Sequence, residues 1–200
     1  KRVGRASLIL WLMLHLMAPA ASAQKNLQKN PHVVYEVDRD ETHWTINYKF
    51  QDQFFNFQTY TLRIPAETTS EMIERFGVPL WMFEPYADTE GNRTERKKIL
   101  SQGLFRLNNN TIEVDKSAVL SYYSKSFCKP IAEMIVSSLS DYRQDNRMNR
   151  IEMAMRFVQD IPYGIPTYED KERHYGGVSP PPKLLIEGYG DCDSKVLLFT

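Results

Sequence analysis

Alternation of apolar and polar residues between positions 43 and 64 constrains the fold of this chain more than any other feature. The apolar members of the two alternating runs are Trp44, Ile46, Tyr48, Phe50, Tyr60, Leu62 and Ile64. Because successive side chains of a strand point to opposite faces of a sheet, each run predicts a strand with one buried face. A short polar break at residues 51–53 separates the runs and predicts a hairpin.

The rest of the first half of the chain is interpreted in the same way. Residues 68–76 predict a short helix closed by Gly77, and residues 84–98 are polar and rich in turn-forming residues. A second hairpin is predicted around residues 108–110, because asparagine tolerates turn geometry and short apolar runs flank these positions. Residues 24–116 are therefore predicted to form a β-rich N-terminal domain.

Apolar residues take up helical spacing from about residue 117 onward. Two stripes contain Ile131, Met134, Ile135 and Leu139, and then Ile151, Ala154, Met155 and Val158. Each stripe predicts a helix that buries that face in the core. Residues 141–149 are polar and predict a linker or helix entry, and Pro162 is expected to end the second helix. The predicted fold class is thus α+β, with a β-rich part followed by a helical part.

Residues 162–182 predict a long surface loop. This segment holds five prolines, three glycines and three tyrosines. Such a composition does not sustain a helix or a central strand, because proline lacks the backbone donor and glycine is conformationally permissive. Long loops in compact domains are often functional.

The first 23 residues have the pattern of a secretory signal peptide. Lys1, Arg2 and Arg5 form a basic region, residues 6–18 are apolar, and Ala21-Ser22-Ala23 has the small-residue pattern of a cleavage site. The apolar run is shorter than the roughly 20 residues of a membrane-spanning helix. We therefore expect cleavage after Ala23, with an uncleaved anchor as the alternative, and no stable membrane span afterwards.

Composition excludes several classes of function. The formal net charge is zero and no Lys/Arg cluster is interleaved with aromatic residues, so no nucleic-acid partner is predicted. The chain has two cysteines, Cys128 and Cys192, without a CxxC or His-rich spacing that would indicate zinc. No metal site or cofactor is predicted, and calcium binding is left open.

The stretch around Cys192 carries the strongest chemical signal. Gly188 and Gly190 permit a tight turn before Asp191, which is a good helix N-cap residue, and an apolar helix-forming run follows. Cys192 is therefore predicted to lie in the first turn of a helix. The free N–H groups and the dipole of a helix N-terminus favour the thiolate form of a cysteine and can donate to an oxyanion.

Residues 181–198 resemble the active-site segment of the transglutaminase-like superfamily, which commonly reads Pro-x-Glu-x-Leu, Gly-x-Gly-Asp-Cys and then Lys-Ala and leucines. The matching positions are Pro181, Leu185, Gly188, Gly190, Asp191, Cys192, Lys195, Leu197 and Leu198. Lys183 stands where Glu is usual, and Ser194 where a second Asp is common. Residues 148–164 also resemble the helix that precedes this segment in bacterial members, so the resemblance covers about residues 146–200.

The resemblance implies a papain-like fold with Cys192 as the nucleophile on a helix packed against an antiparallel sheet. That sheet would supply a histidine and then an Asp or Asn, both later in sequence than the cysteine. Residues 117–200 would then be the start of the domain, with its catalytic partners expected beyond Thr200. His174 is the alternative base within the chain. Side chains that either line the acyl site or pack structurally are Tyr163, Tyr168, Tyr175 and Tyr189.

The sequence therefore predicts an exported cysteine hydrolase or acyltransferase that acts on amide bonds of proteins or peptides. The expected location is periplasmic or extracellular, in a bacterium. One alternative is a catalytically inactive member of the superfamily that serves as a binding or scaffolding module. Another is a plain structural domain with a Cys128–Cys192 disulfide.

Overall fold

The computed structural model describes residues 27–83, 87–109, 111–165, 169–170, 173–174 and 178–200. The predicted signal segment, residues 1–23, lies outside them. Helices and strands both occur throughout the described residues, which confirms the α+β class.

Helices occupy most of the second half of the chain. The α-helices are α1 (Ala66–Phe76), α2 (Glu90–Ser101), α3 (Lys116–Tyr123), α4 (Lys129–Asp141), α5 (Arg147–Asp160), α6 (Pro181–Glu187) and α7 (Cys192–Phe199). A 3-10 helix spans Leu80–Phe83, and a π-helical segment, Ser124–Cys128, joins α3 to α4. The strands are β1 (Val34–Arg39), β2 (His43–Gln51), β3 (Phe57–Pro65), β4 (Val78–Pro79), β5 (Phe105–Asn108), β6 (Thr111–Val114), β7 (Glu169–Asp170) and β8 (Arg173–His174).

The predicted hairpin is confirmed as β2 and β3 of an antiparallel sheet with the order β1-β2-β3. Trp44 pairs with Ile64 and Tyr48 with Tyr60. The turn covers residues 52–56 and is longer than predicted. The buried Asp52 carboxylate stabilises it by accepting from the Phe54 and Asn56 N–H groups within the turn and from the Gln58 side chain of β3. Strand β1 was not predicted, since its residues are mostly exposed and lack a clear apolar alternation.

The buried face of this sheet packs against α5. Phe157 lies among Tyr48, Phe50 and Tyr60, with ring centroids 5.1, 5.4 and 6.0 Å away. The Tyr48 hydroxyl also donates to the Phe157 carbonyl at 2.6 Å. Buried apolar residues from β2, β3, α4, α5, α6 and α7 belong to one hydrophobic cluster. These contacts join segments on both sides of residue 116, and a domain division there stays a prediction.

Residues 84–98 contain most of a helix that the sequence pattern did not indicate. The prediction of a turn-rich segment is wrong for residues 90–98, which lie in α2. Thr89 caps this helix, with its side chain accepting from the Asn92 N–H at 3.2 Å. Ile99 is its buried residue, so the helix has almost no apolar stripe for a periodicity search to detect. The other elements predicted in the first part of the chain, α1 and the β5–β6 hairpin, are confirmed.

The first helical stripe is confirmed. The second is confirmed for Val158 and for the partly buried Ala154, and it is wrong for Ile151 and Met155. On α4, Ile131, Ile135 and Leu139 are buried. On α5, by contrast, Ile151 and Met155 are 42% and 41% exposed. The buried residues of α5 are Met153, Phe157, Val158 and Asp160. Two apolar stripes run along this helix, and the aromatic cluster of the sheet selects the one that contains Phe157.

The described residues of the segment 162–182 include strands and a helix start that its composition did not indicate. Strands β7 and β8 form a short hairpin, and β8 pairs with β4. Pro181 and Pro182 do not belong to a loop but begin α6, where both are buried. Proline is well tolerated in the first turn of a helix, because the N–H groups there have no intrahelical acceptor.

The C-terminal end of α5 is attached to the N-terminal segment through Asp160. Its carboxylate accepts from the Asn30 side chain at 2.7 Å, from the Gln51 N–H at 3.0 Å and contacts His32 Nε2 at 2.7 Å. Burial raises the pKa of Asp160, but these hydrogen bonds outweigh it, so the net pKa lies below its usual 3.8. The ionised carboxylate therefore stabilises the folded state.

We expect Asp160→Asn to lower the free energy of unfolding by about 1–3 kcal/mol at pH 7, because donors at Asp160 lose a charged acceptor. A carboxyl group with a lowered folded-state pKa contributes stability above its unfolded pKa and loses it as pH falls through the folded value. The difference between wild type and variant should thus shrink in urea unfolding at pH 3. Asp88→Asn, at an exposed carboxylate, is the control and should change little. A gap that stays constant between pH 7 and pH 3 would contradict the assignment.

Candidate active site

Cys192 is the first residue of α7, and its side chain is exposed. Asp191 occupies the N-cap position, where its side chain accepts from the Ser194 N–H at 2.9 Å. One side of α7 packs against α5 and α6. The Cys192 thiol consequently lies on the solvent side of a helix N-terminus whose opposite face is buried.

The two cysteines are free thiols, so the alternative of a Cys128–Cys192 disulfide is wrong. Cys128 lines an apolar cavity of about 330 Å³ together with Leu198, Phe199 and Thr200, at the far end of α7. Cys192 lies at the other end of this helix, about 10 Å away along its axis at 1.5 Å per residue. Burial raises the pKa of the Cys128 thiol to about 11. Cys128 is accordingly a poor nucleophile at neutral pH.

Gly188 ends α6 in a left-handed conformation with φ of 69°. Its N–H donates to the Leu184 carbonyl at 2.9 Å. A Cβ at this position would lie 2.8 Å from Cδ1 of Tyr35, whose hydroxyl donates to the Leu185 carbonyl at 2.7 Å. Glycine is thus needed here both for its backbone conformation and for the close approach of the Tyr35 ring.

Gly190 lies in the connection between α6 and Cys192, where neighbouring side chains leave no room for a Cβ. A Cβ here would lie 2.7 Å from Leu184 Cδ1 and 3.3 Å from Ser194 Cβ. Its N–H donates to the Pro162 carbonyl, and its carbonyl accepts from the Gly164 N–H. The absence of a side chain at Gly190 therefore lets Leu184 of α6 and Ser194 of α7 pack closely against this backbone.

Ser194 was predicted only as a departure from the family pattern, and the structure gives it a packing role. It is fully buried, and its Oγ accepts from the Ser179 N–H at 2.8 Å. An aspartate at this place would bring a charge into the buried contact between α7 and the start of α6, which is costly. A small neutral serine therefore suits this buried position better than the aspartate that is common there in the superfamily.

We expect Gly188→Ala to lower the free energy of unfolding by about 2–4 kcal/mol, combining left-handed strain with a steric clash. Gly103→Ala is the matched control, because Gly103 also has a positive φ, of 77°, but open space around its Cβ position. It should cost only about 1–2 kcal/mol. Equal losses in thermal or urea unfolding would show that the Tyr35 contact has no effect.

Lys195 lies one helical turn after Cys192 and reaches back to the end of α5. Its Nζ donates to the Ile161 carbonyl at 2.5 Å and to the Gln159 carbonyl at 3.3 Å. Burial lowers the pKa of Lys195, while the nearby Cys192 and Asp160 act in the opposite direction. The side chain also lines a polar cavity of about 260 Å³ whose other members are Gln28, Lys29, Asn30, Gln159, Asp160, Ile161 and Tyr163.

The remaining candidate residues are only partly brought to this site. Tyr163 pairs with Gly190 through a backbone bridge and is exposed, whereas Tyr189 is buried. Tyr168, Tyr175 and the side chain of His174 lie outside the described residues. In the part of the chain that the structure describes, His32 contacts Asp160, His43 contacts Thr42, and neither bonds to Cys192. A catalytic role for Cys192 stays a prediction.

The resemblance to the transglutaminase-like superfamily rests on the sequence alone, chiefly on the motif around Cys192. No protein-family model, curated protein or solved structure matches the chain. Across the described ranges, no three or more His, Cys, Asp or Glu side chains are grouped so that they could hold a metal ion. Within the same residues, every helix is too short or too polar to cross a membrane.

Proposed function

We propose that the protein is an exported cysteine hydrolase or acyltransferase of the transglutaminase-like type, acting on amide bonds of proteins or peptides. The observation that carries this proposal is the exposed Cys192 thiol on the first residue of α7, directly after the capping Asp191. A thiol in this position combines access for a substrate with the positive end of a helix dipole, which favours a thiolate.

The first turn of α7 also has donors suited to an oxyanion. Asp191 accepts from the Ser194 N–H through its side chain and from the Lys195 N–H through its carbonyl. Among the described residues, the Cys192 and Asp193 N–H groups have no such acceptor. Unpaired backbone donors beside a nucleophile can stabilise the negative charge of a tetrahedral intermediate.

The proposed reaction has two steps. The Cys192 thiolate attacks an amide carbonyl carbon, a C–S bond forms, and the carbonyl π-electrons move to the oxygen, which the first-turn N–H groups bind. The tetrahedral intermediate collapses, the C–N bond breaks, and the amine leaves with a proton from a histidine. Water or a second amine then attacks the thioester and releases the cysteine, which yields hydrolysis or transamidation.

The proposal needs a histidine and an orienting Asp or Asn that are not among the residues placed at Cys192. By the family resemblance they would follow Cys192 in sequence, on the sheet of a papain-like fold. Export rests on the signal pattern of residues 1–23. Hydrolysis is preferred over cross-linking, because water is the abundant acceptor.

A binding or scaffolding module is the second candidate, and one cavity favours it. An apolar cavity of about 380 Å³ lies between β3, α1 and α4. Its wall includes Leu62, Ile64 and Met72, and β3 forms the edge of its sheet. Extended peptides commonly add to such edges. In this reading the β-rich part recognises a partner and Cys192 is not used.

Detection of an acyl adduct on Cys192 tests the first proposal. The full-length protein is mixed with casein-derived peptides, quenched in acid, digested and examined by mass spectrometry. A thioester on the Cys192 peptide that hydroxylamine removes is the expected result. Adding a primary amine distinguishes transamidation from hydrolysis. Peptides retained without any adduct or turnover would favour the binding module instead.

A further inference from the structure

The side chain of Lys195 connects the nucleophile helix to the end of the preceding long helix. Its Nζ donates to the carbonyls of Gln159 and Ile161, which are the last residue but one of α5 and the residue that follows it. Unpaired carbonyls at a helix C-terminus carry partial negative charge and attract a cation. The ammonium group is therefore held in place by two acceptors from a different element.

The same ammonium group also interacts electrostatically with Cys192. Residues three apart on a helix are neighbours on its surface, so the Cys192 and Lys195 side chains share one face of α7. Two other titratable side chains line the half-buried space around Lys195, besides Tyr163. Asp160 comes from α5, where it is bonded to Asn30 of the N-terminal segment and to Gln51 of β2, and Lys29 is exposed. On α7 itself, Asp193 follows Cys192 in sequence and is exposed to solvent.

We propose that Lys195 is a positioning residue for Cys192, which fixes a positive charge one helical turn from the thiolate and fastens α7 to the end of α5. This inference rests on the proposed function, because it assigns Lys195 a part in keeping that nucleophile ionised. The two carbonyl acceptors hold the ammonium group in one half-buried place. Solvent screens its charge less there than it would screen the charge of a fully exposed lysine.

The test is the rate of iodoacetamide alkylation of Cys192 in the full-length protein, followed by mass spectrometry from pH 5 to 10. Alkylation measures the thiolate and needs neither substrate nor a histidine partner, so its result is separate from that of the acyl-adduct experiment. The variants are Lys195→Met, which removes the charge, Lys195→Gln, which keeps a donor, and Lys195→Arg, which keeps the charge. Cys128 on the same molecules is the internal reference.

At pH 7 we expect Lys195→Met and Lys195→Gln to slow Cys192 alkylation about threefold to tenfold, with the pH–rate profile moved to higher pH. Lys195→Arg should restore most of the rate, and added salt should reduce the difference. A purely structural role predicts instead that Lys195→Gln matches Lys195→Arg. That result, or a wild-type profile in Lys195→Met with normal thermal unfolding, would overturn the proposal.

Discussion

Replacing Cys192 with serine is expected to lower kcat/KM for amide turnover by about 10⁴-fold or more. A serine hydroxyl is not ionised at neutral pH, and it lacks the nucleophilicity of a thiolate. Because Cys192 is exposed and makes no side-chain hydrogen bond among the described residues, the fold should not change. Peptide hydrolysis by the full-length protein, measured beside its thermal unfolding temperature, provides the comparison.

Cys128→Ser is the matched control for this variant. Cys128 lines the apolar cavity at the other end of α7, and its pKa of about 11 keeps it protonated at neutral pH. The Cys128→Ser protein should keep its activity apart from a modest loss of stability. If Cys192→Ser stays active, or if both variants lose activity equally, Cys192 is not the nucleophile.

Truncating Phe157 to alanine should lower the free energy of unfolding by about 3–5 kcal/mol, the largest stability effect that we expect. Phe157 is 1% exposed and packs against Tyr48, Phe50 and Tyr60 of the sheet. Its loss leaves a cavity where the sheet meets α5, and the rings around it lose both contact area and edge-to-face geometry. Equilibrium urea unfolding gives the measurement.

Met155→Ala serves as the partner variant on the same helix. Met155 is part of the apolar stripe that the sequence favours, yet it is 41% exposed. Its truncation should change the free energy of unfolding by no more than about 0.5 kcal/mol. A large loss for Met155→Ala together with a small one for Phe157→Ala would mean that α5 buries the opposite face.

Local chemistry made several elements predictable. The alternation around Trp44 and Ile64 leads to the β2–β3 hairpin, because a period of two can bury one face only as a strand. Asp191 before an apolar run leads to a capped helix start at Cys192, because a short acceptor side chain there meets the free N–H groups. Both depend on residues within a few positions of each other.

Elements that depend on distant partners were not predictable in this way. α2 has almost no apolar stripe, and Pro181 begins a helix in a segment whose composition favours a loop. Gly188 permits the expected turn through its left-handed backbone, but the close approach of the Tyr35 ring from β1 to this glycine was not predicted. Gly188 and Tyr35 are far apart in sequence, and no local pattern around either one indicates that they touch.

At Cys192, too, local features were predictable from the sequence and contacts with distant residues were not. Short-range order, namely a glycine turn, a cap and a helix with the thiol in its first turn, follows from residues 188–198, since it needs only backbone hydrogen bonds between neighbours. The face that α5 buries and the carbonyls that Lys195 reaches, 34 and 36 positions earlier, were decided by packing. Competing apolar faces and acceptors are nearly equivalent along a chain, and only the assembled core selects among them.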